Sequence, residues 1–143
     1  MNSSGLHLVG LSHTLADLDA RERFAREAPT PRALVDAGLA AEAVLVATCN
    51  RHEIILVSER FPEILALVGQ TQEAFASLSG EQAVRHLYRV AASIDSMIVG
   101  ETQILGQIRA AEDSASSTGT IGPMLRGLFV EGRRVGTAVG RRT

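Results

Sequence analysis

The sequence predicts an α+β protein: a ferredoxin-like βαββαβ antiparallel sheet followed by a helical subdomain. Three observations predict it. Strand-length apolar runs and helical segments alternate in that order through residue 78. From Ser79 onward the apolar spacing becomes helical throughout. With 143 residues, 45% of them hydrophobic and 21% charged, the chain can bury one ordinary core but not two large ones.

Leu6–Leu11 reads as the first strand, and Ser12-His13-Thr14 breaks it. Asp17 to Glu27 is charged, with Leu18 and Ala25 at helical spacing. Pro31 suits the first turn of a short second helix, Arg32 to Ala37, closed by Gly38. Ala43–Ala47 and Glu53–Val57 are the next two strands. Arg60-Phe61-Pro62-Glu63 opens a helix through Ile64, Leu65, Leu67 and Val68 toward Gly69 or Thr71, and Ala74–Leu78 completes the sheet. Ser79 with Gln82 has the spacing of a capping box and predicts a helix from Gly80 to Ala92. A further helix is expected over Thr102 to Ser114, a small polar loop over Ser114 to Gly122, and a last helix from Pro123 to the end.

Composition removes several classes of function. Aromatic residues make up 3% and Trp is absent, so no base-stacking platform is expected. One cysteine excludes an internal disulfide and a cysteine-based metal cluster, and suits a reducing, cytoplasmic setting. His7, His13 and His52 lack metal-ligand spacing. No apolar run is long enough to span a membrane, and the first residues lack the pattern of a secretory signal. The net charge of −2 says little, but all 14 basic residues are arginine. Arginine suits bidentate recognition of carboxylate and phosphate; an Ala-rich, all-Arg chain also follows from base composition alone. Arg126, Arg133, Arg134, Arg141 and Arg142 face only Glu131 near the end, which reads first as a solvated helix face. Gly132, Gly136 and Gly140 recur every fourth residue there and read as helix packing.

The stretch Ala47-Thr48-Cys49-Asn50-Arg51 holds the lone cysteine. A lone cysteine is ordinarily a small buried apolar residue. Here it stands where an apolar strand meets a polar loop, two positions from an arginine and between hydroxyl and amide donors. That is the setting of an activated thiolate. A second polar cluster falls in the helical half. His86 lies on the helix after Ser79, Asp95 and Ser96 in the connection that follows, and Glu101, Gln103 and Gln107 around the next helix. Gln103 and Gln107 are one turn apart on one face. Each has a plain structural reading, a solvated face or a satisfied helix histidine. Together they describe a polar wall for a small ligand.

Four blocks then carry a resemblance: Gly10-Leu11-Ser12-His13 with Arg21-Glu22; Thr48-Cys49-Asn50-Arg51 with Glu53-Ile54; His86-Leu87-Tyr88-Arg89-Val90-Ala91 running on to Asp95-Ser96-Met97; and Gly100-Glu101-Thr102-Gln103-Ile104-Leu105-Gly106-Gln107. The chain resembles the N-terminal catalytic domain of glutamyl-tRNA reductase, the entry enzyme of the five-carbon route to tetrapyrroles, including the porphyrins. The resemblance implies that Cys49 attacks the ester of glutamyl-tRNA to form a thioester, which NADPH reduces to glutamate-1-semialdehyde in the complete enzyme. It implies His86 as a second catalytic residue, with Thr48, Asn50, Arg51, Ser96, Glu101, Thr102, Gln103 and Gln107 binding substrate. It implies no metal, a homodimer in the full-length family, and glutamate-1-semialdehyde aminotransferase as a partner.

Two positions depart from the family pattern: Thr102 stands where proline is usual, and Ile55 where an aromatic is common. The same resemblance divides the chain into a ferredoxin-like part (1–78), a helical part (79–122) and the start of a long spinal helix (123–143), with the NADPH-binding and dimerisation domains absent. No G-x-G-x-x-G follows a strand, so full reductase activity is not expected of this fragment. The competing reading is a non-catalytic module that binds the glutamyl group, the tRNA or a partner. A DNA-binding module is disfavoured, because no basic recognition face precedes Arg126.

Overall fold

The computed structural model describes residues 5–48, 50–71, 75–92 and 103–140. The order of elements is β1 (Leu6–Ser12), α1 (Leu18–Glu27), α2 (Pro31–Asp36), β2 (Glu42–Ala47), β3 (Arg51–Val57), α3 (Phe61–Gly69), β4 (Ala76–Ser79), α4 (Glu81–Ala91), α5 (Gln103–Thr118) and α6 (Pro123–Gly140). The four strands form one antiparallel sheet in the order β2-β3-β1-β4. This is the strand order of the split βαβ arrangement that the alternation of strands and helices predicts.

Strands β1, β2 and β3 are apolar on both faces, and the two faces bury against different helices. Val9, Leu11, Ala43, Ile54 and Leu56 point into one core with Phe24, Leu34, Ile64 and Val68 of α1, α2 and α3. Leu6, Leu8, Val44, Val46 and Ile55 point into a second core with Ala83, Leu87, Val90, Ile108, Leu125, Leu128 and Phe129 of α4, α5 and α6. The ferredoxin-like unit alone covers one face of its sheet. The helical half covers the other, so the two halves share a core. Ile55 is buried within it, as expected of an exchange for an aromatic.

Local signals explain most helix boundaries. The Asp17 carboxylate accepts from the Ala20 amide at 2.9 Å and starts α1. Thr30 does the same for Ala33 at 3.1 Å, with Pro31 as the first residue of α2. Ser79 departs from expectation. It does not cap α4: it is the last residue of β4, and its hydroxyl meets His7 Nδ1 at 2.7 Å. Gly80, at φ 60°, occupies the cap position of α4 without a side-chain bond. A tertiary partner has outbid the local one. His7 Nε2 donates to the Ser58 carbonyl at 3.2 Å, so in the neutral ring Nδ1 is the acceptor for Ser79.

Two further expectations need correction. Helix α5 continues four residues beyond Ser114, to Thr118, leaving 119–122 as the link to α6. The last strand begins at Ala76, later than expected. The glycine repeat of α6 serves intramolecular packing. A Cβ on Gly136 would lie 2.5 Å from the Ala91 carbonyl oxygen, and one on Gly132 would touch Leu87 and Tyr88 of α4. No described helix is long and apolar enough to cross a membrane.

One consequence for stability is testable. His52 sits on the α1 face, edge-on to Phe24 with ring centroids 5.4 Å apart, and burial lowers its pKa from the usual 6.5. The unfolded chain therefore binds the proton more readily, so the contribution of His52 is intact above about pH 6.5 and is lost as the pH falls below it. His7 is shifted the same way, chiefly by burial. Thermal melts between pH 7.5 and 5.5 should show a falling Tm, and His52→Leu should flatten the slope.

Candidate active site

Strands β2 and β3 meet in a tight hairpin. Ala47 is the Cα partner of His52, and the Thr48 amide donates to the Arg51 carbonyl at 2.9 Å, which closes the hairpin with Asn50 at its tip. The Thr48 hydroxyl accepts from the Asn50 amide at 3.0 Å, a side-chain turn that holds the tip shut. The Asn50 carbonyl in turn accepts from the His13 amide at 2.7 Å, just past the end of β1. The tip is thereby fixed to the rim of the sheet by three strands rather than two.

Below the tip, strand alternation sends Arg51 and Glu53 to the face covered by α4, α5 and α6. Both are buried, with 2% and 5% of their side-chain surface exposed. Arg51 NH1 donates to Glu53 Oε1 at 3.2 Å. The second oxygen, Glu53 Oε2, lies 2.8 Å from His86 Nε2 on α4. A carboxylate shared between a guanidinium and an imidazole holds both in fixed orientations. Gly10 makes the room. It pairs with Glu53 across β1 and β3, and a Cβ there would lie 2.6 Å from Glu53 Cα and 3.1 Å from its Cγ. Any side chain at position 10 would push the carboxylate out of its slot.

His13 adds an unusual group. Its Nδ1 is buried with no hydrogen-bond partner among the described residues. No group of three or more potential metal ligands occurs among the described residues.

A family model described as "Glutamyl-tRNAGlu reductase, N-terminal domain" matches residues 9–143. The chain belongs to this family. It is 40% identical over 147 residues to the glutamyl-tRNA reductase of Rubrobacter xylanophilus, an alignment covering 92% of this chain and 34% of that protein. It is 38% identical to the Deinococcus radiodurans enzyme, covering 93% of this chain and 41% of the relative. The solved glutamyl-tRNA reductase from Methanopyrus kandleri superposes with a TM-score of 0.85 at 29% identity, over 98% of this chain and 35% of that one. The chain thus spans between a third and two fifths of the length of these relatives.

Of the residues that the sequence assigns to a glutamyl-tRNA reductase site, five are described with their side chains. Thr48, Asn50 and Arg51 come together at the hairpin, and His86 joins them through Glu53. Gln107 stands apart on α5, lining a groove beside β2 together with Ala47. Cys49, Ser96, Glu101 and Thr102 lie outside the described residues, as does the side chain of Gln103. The Arg51 guanidinium meets a partner within the chain, Glu53. Glu53 is the residue that sequence reasoning missed. A signal existed, since a carboxylate inside an apolar strand, at the inward parity and two positions from an arginine, needs a buried partner.

The strand-to-helix turns at 13–17 and 58–60 contain no glycine, and the turn from β4 to α4 is Gly80 alone, so none of the three carries the G-x-G-x-x-G pattern.

Proposed function

We propose that this chain is the part of a glutamyl-tRNA reductase that recognises the glutamyl ester and accepts the acyl group. The observation that carries the reading is the Arg51–Glu53–His86 chain directly beneath the Thr48–Arg51 hairpin. It is a preorganised cation at the root of the hairpin, two positions in sequence from the only cysteine. Arg51 supplies positive charge for the glutamate carboxylate and for the thiolate form of Cys49. Glu53 fixes the plane of the guanidinium, and His86 fixes Glu53. On this reading His86 acts by orientation, through Glu53 rather than on the ester.

The thiolate of Cys49 attacks the ester carbonyl carbon of glutamyl-tRNA. The carbon–sulfur bond forms, the carbon–oxygen bond to the terminal ribose breaks, and the ribose oxygen leaves and takes up a proton. A thioester is more readily reduced than an oxygen ester, which suits it to the hydride transfer that follows. Ser96, Glu101, Thr102, Gln103 and Gln107 complete the binding of the glutamyl group. NADPH as hydride donor, glutamate-1-semialdehyde as product, a homodimeric full-length enzyme in the cytoplasm and transfer to the aminotransferase belong to the same reading. They concern the longer protein.

The reading is tested by incubating the chain with glutamyl-tRNA and measuring intact mass. A glutamyl adduct on the native chain, absent from Cys49→Ser, is expected. Tight tRNA binding with no adduct on either protein would favour the non-catalytic module.

A further inference from the structure

Ser79 and His7 are direct partners across β4 and β1, at the end of the sheet away from the hairpin. Along β1, His7 stands about 17 Å from Ser12, the partner of Arg51. We infer that Ser79 is a second acyl-accepting nucleophile, with His7 as its general base, and that the pair cleaves small esters. The inference is independent of the proposed function, since it uses neither the hairpin nor its cysteine.

Three observations support it. The first is a chain of hydrogen bonds. The Ser79 hydroxyl donates to His7 Nδ1 at 2.7 Å, and His7 Nε2 donates to the Ser58 carbonyl at 3.2 Å. A carbonyl can only accept, so it selects the tautomer whose Nδ1 is free to take a proton. The ring is held in plane by Phe61, with centroids 4.0 Å apart and planes 10° from parallel. A hydroxyl on an imidazole, with the imidazole oriented by a third group, is the arrangement that activates a serine. Burial lowers the His7 pKa from the usual 6.5, so the ring is neutral and able to accept a proton at pH 7.

The second is the backbone. Ser79 ends β4, and Gly80, at φ 60°, turns the chain directly into α4. A serine on a tight strand-to-helix turn presents its oxygen in front of the first amides of the helix. The Gly80 amide is spent on the Leu6 carbonyl at 2.9 Å. Those of Glu81 and Gln82 open the helix, and no side chain caps it. They point back toward position 79, where they can receive the negative oxygen of a tetrahedral intermediate.

The third is access. Strand β4 is at the edge of the sheet and Ser79 is exposed. A cavity of about 380 Å³ opens beside His7, lined by Gly5, Ser58, Glu59, Phe61 and Pro62. That is the volume of sites for small organic molecules. Of the charged groups around it, Arg60 and Glu63 pair with each other and Glu81 lies 3.9 Å from Arg85. Glu59 leaves the cavity with a negative rim, which favours neutral or cationic esters over anionic ones.

In the acylation step the Ser79 proton passes to His7 Nδ1 as Oγ bonds to the ester carbonyl carbon. The carbon–oxygen bond to the alcohol then breaks, and the alcohol oxygen takes that proton. Water, giving a proton to His7, attacks the acyl-serine and releases the acid, and the proton returns to Ser79 Oγ.

The test uses the chain carrying Cys49→Ser, which removes the competing thiol, and p-nitrophenyl acetate. A burst of nitrophenolate is expected, with one acetyl group on the peptide that contains Ser79. Ser79→Ala removes a single exposed hydroxyl, leaves the core intact and should abolish both. His7→Phe keeps a ring against Phe61 and should slow acetylation about a hundredfold, the usual worth of a general base. The rate should rise with pH to a plateau, with its midpoint below pH 6.5. Relative to hydrolysis in buffer, the anionic p-nitrophenyl hydrogen glutarate should react more slowly than the acetate. An acetyl group on another residue, a rate unchanged by Ser79→Ala or by His7→Phe, a midpoint above pH 6.5, or a preference for the glutarate would each overturn the inference.

Discussion

Replacing Glu53 by alanine is expected to destabilise the chain by about 3–5 kcal/mol, the usual cost of leaving one charge of a buried pair uncompensated. Arg51 has almost no access to water, and its bond to the Glu53 carboxylate would be gone. Glu53→Gln keeps the shape and loses the charge, and should cost about 2 kcal/mol. Both effects can be read from urea unfolding. Acylation by glutamyl-tRNA should fall at least tenfold in Glu53→Gln, because the guanidinium loses the group that aims it.

A double variant separates folding from function. Arg51→Leu with Glu53→Leu replaces the pair by apolar side chains and should recover most of the stability lost in Glu53→Ala. Water can still reach His86, whose side chain is 20% exposed. The double variant should nonetheless form no adduct. Recovery of both stability and acylation would show that the buried cation is structural only.

The second large effect is expected at Glu42, the first residue of β2. Its carboxylate accepts from the amides of Gly122, Leu125 and Met124 at 2.7, 2.9 and 3.3 Å, at the start of α6. A helix of this length has unpaired amides at its beginning and a partial positive charge there. Here both are answered by a carboxylate 80 residues away in sequence. Glu42→Ala should leave three amides without their partner, that of Leu125 fully buried and those of Gly122 and Met124 half-buried, and cost about 3 kcal/mol, or roughly 10 °C in Tm for a chain of this size. Glu42→Gln retains one acceptor oxygen and should lose about half as much. Gly122→Ala should imitate the loss, since a Cβ there would lie 2.7 Å from Glu42 Cδ. Differential scanning calorimetry of the three variants checks the order. Because α6 packs on α4 and α5, loosening its first turn should also lower hydrogen-exchange protection along α4.

These two carboxylates mark the division between what was legible in the chain and what was not. Strand and helix identities follow from periodicity, and Asp17, Thr30 and Pro31 mark helix starts because each acts on residues next to it in sequence. The hairpin bearing Thr48, Asn50 and Arg51 is equally local, and so is the grouping that identifies the family. Ser79 shows where such reasoning ends. Its capping pattern is present in the sequence, yet His7, 72 residues away, takes the hydroxyl.

The sequence by itself determined the order of elements, the position of the cysteine loop and the family to which the chain belongs. These are properties of neighbouring residues and of short patterns. Only the tertiary structure decided that the helical half closes the second face of the sheet, that Glu53 joins Arg51 to His86, and that Glu42 starts α6. The physical reason is the same in each case. A buried charge or an open apolar face must find a partner, but nothing in the local pattern says which distant residue it will be.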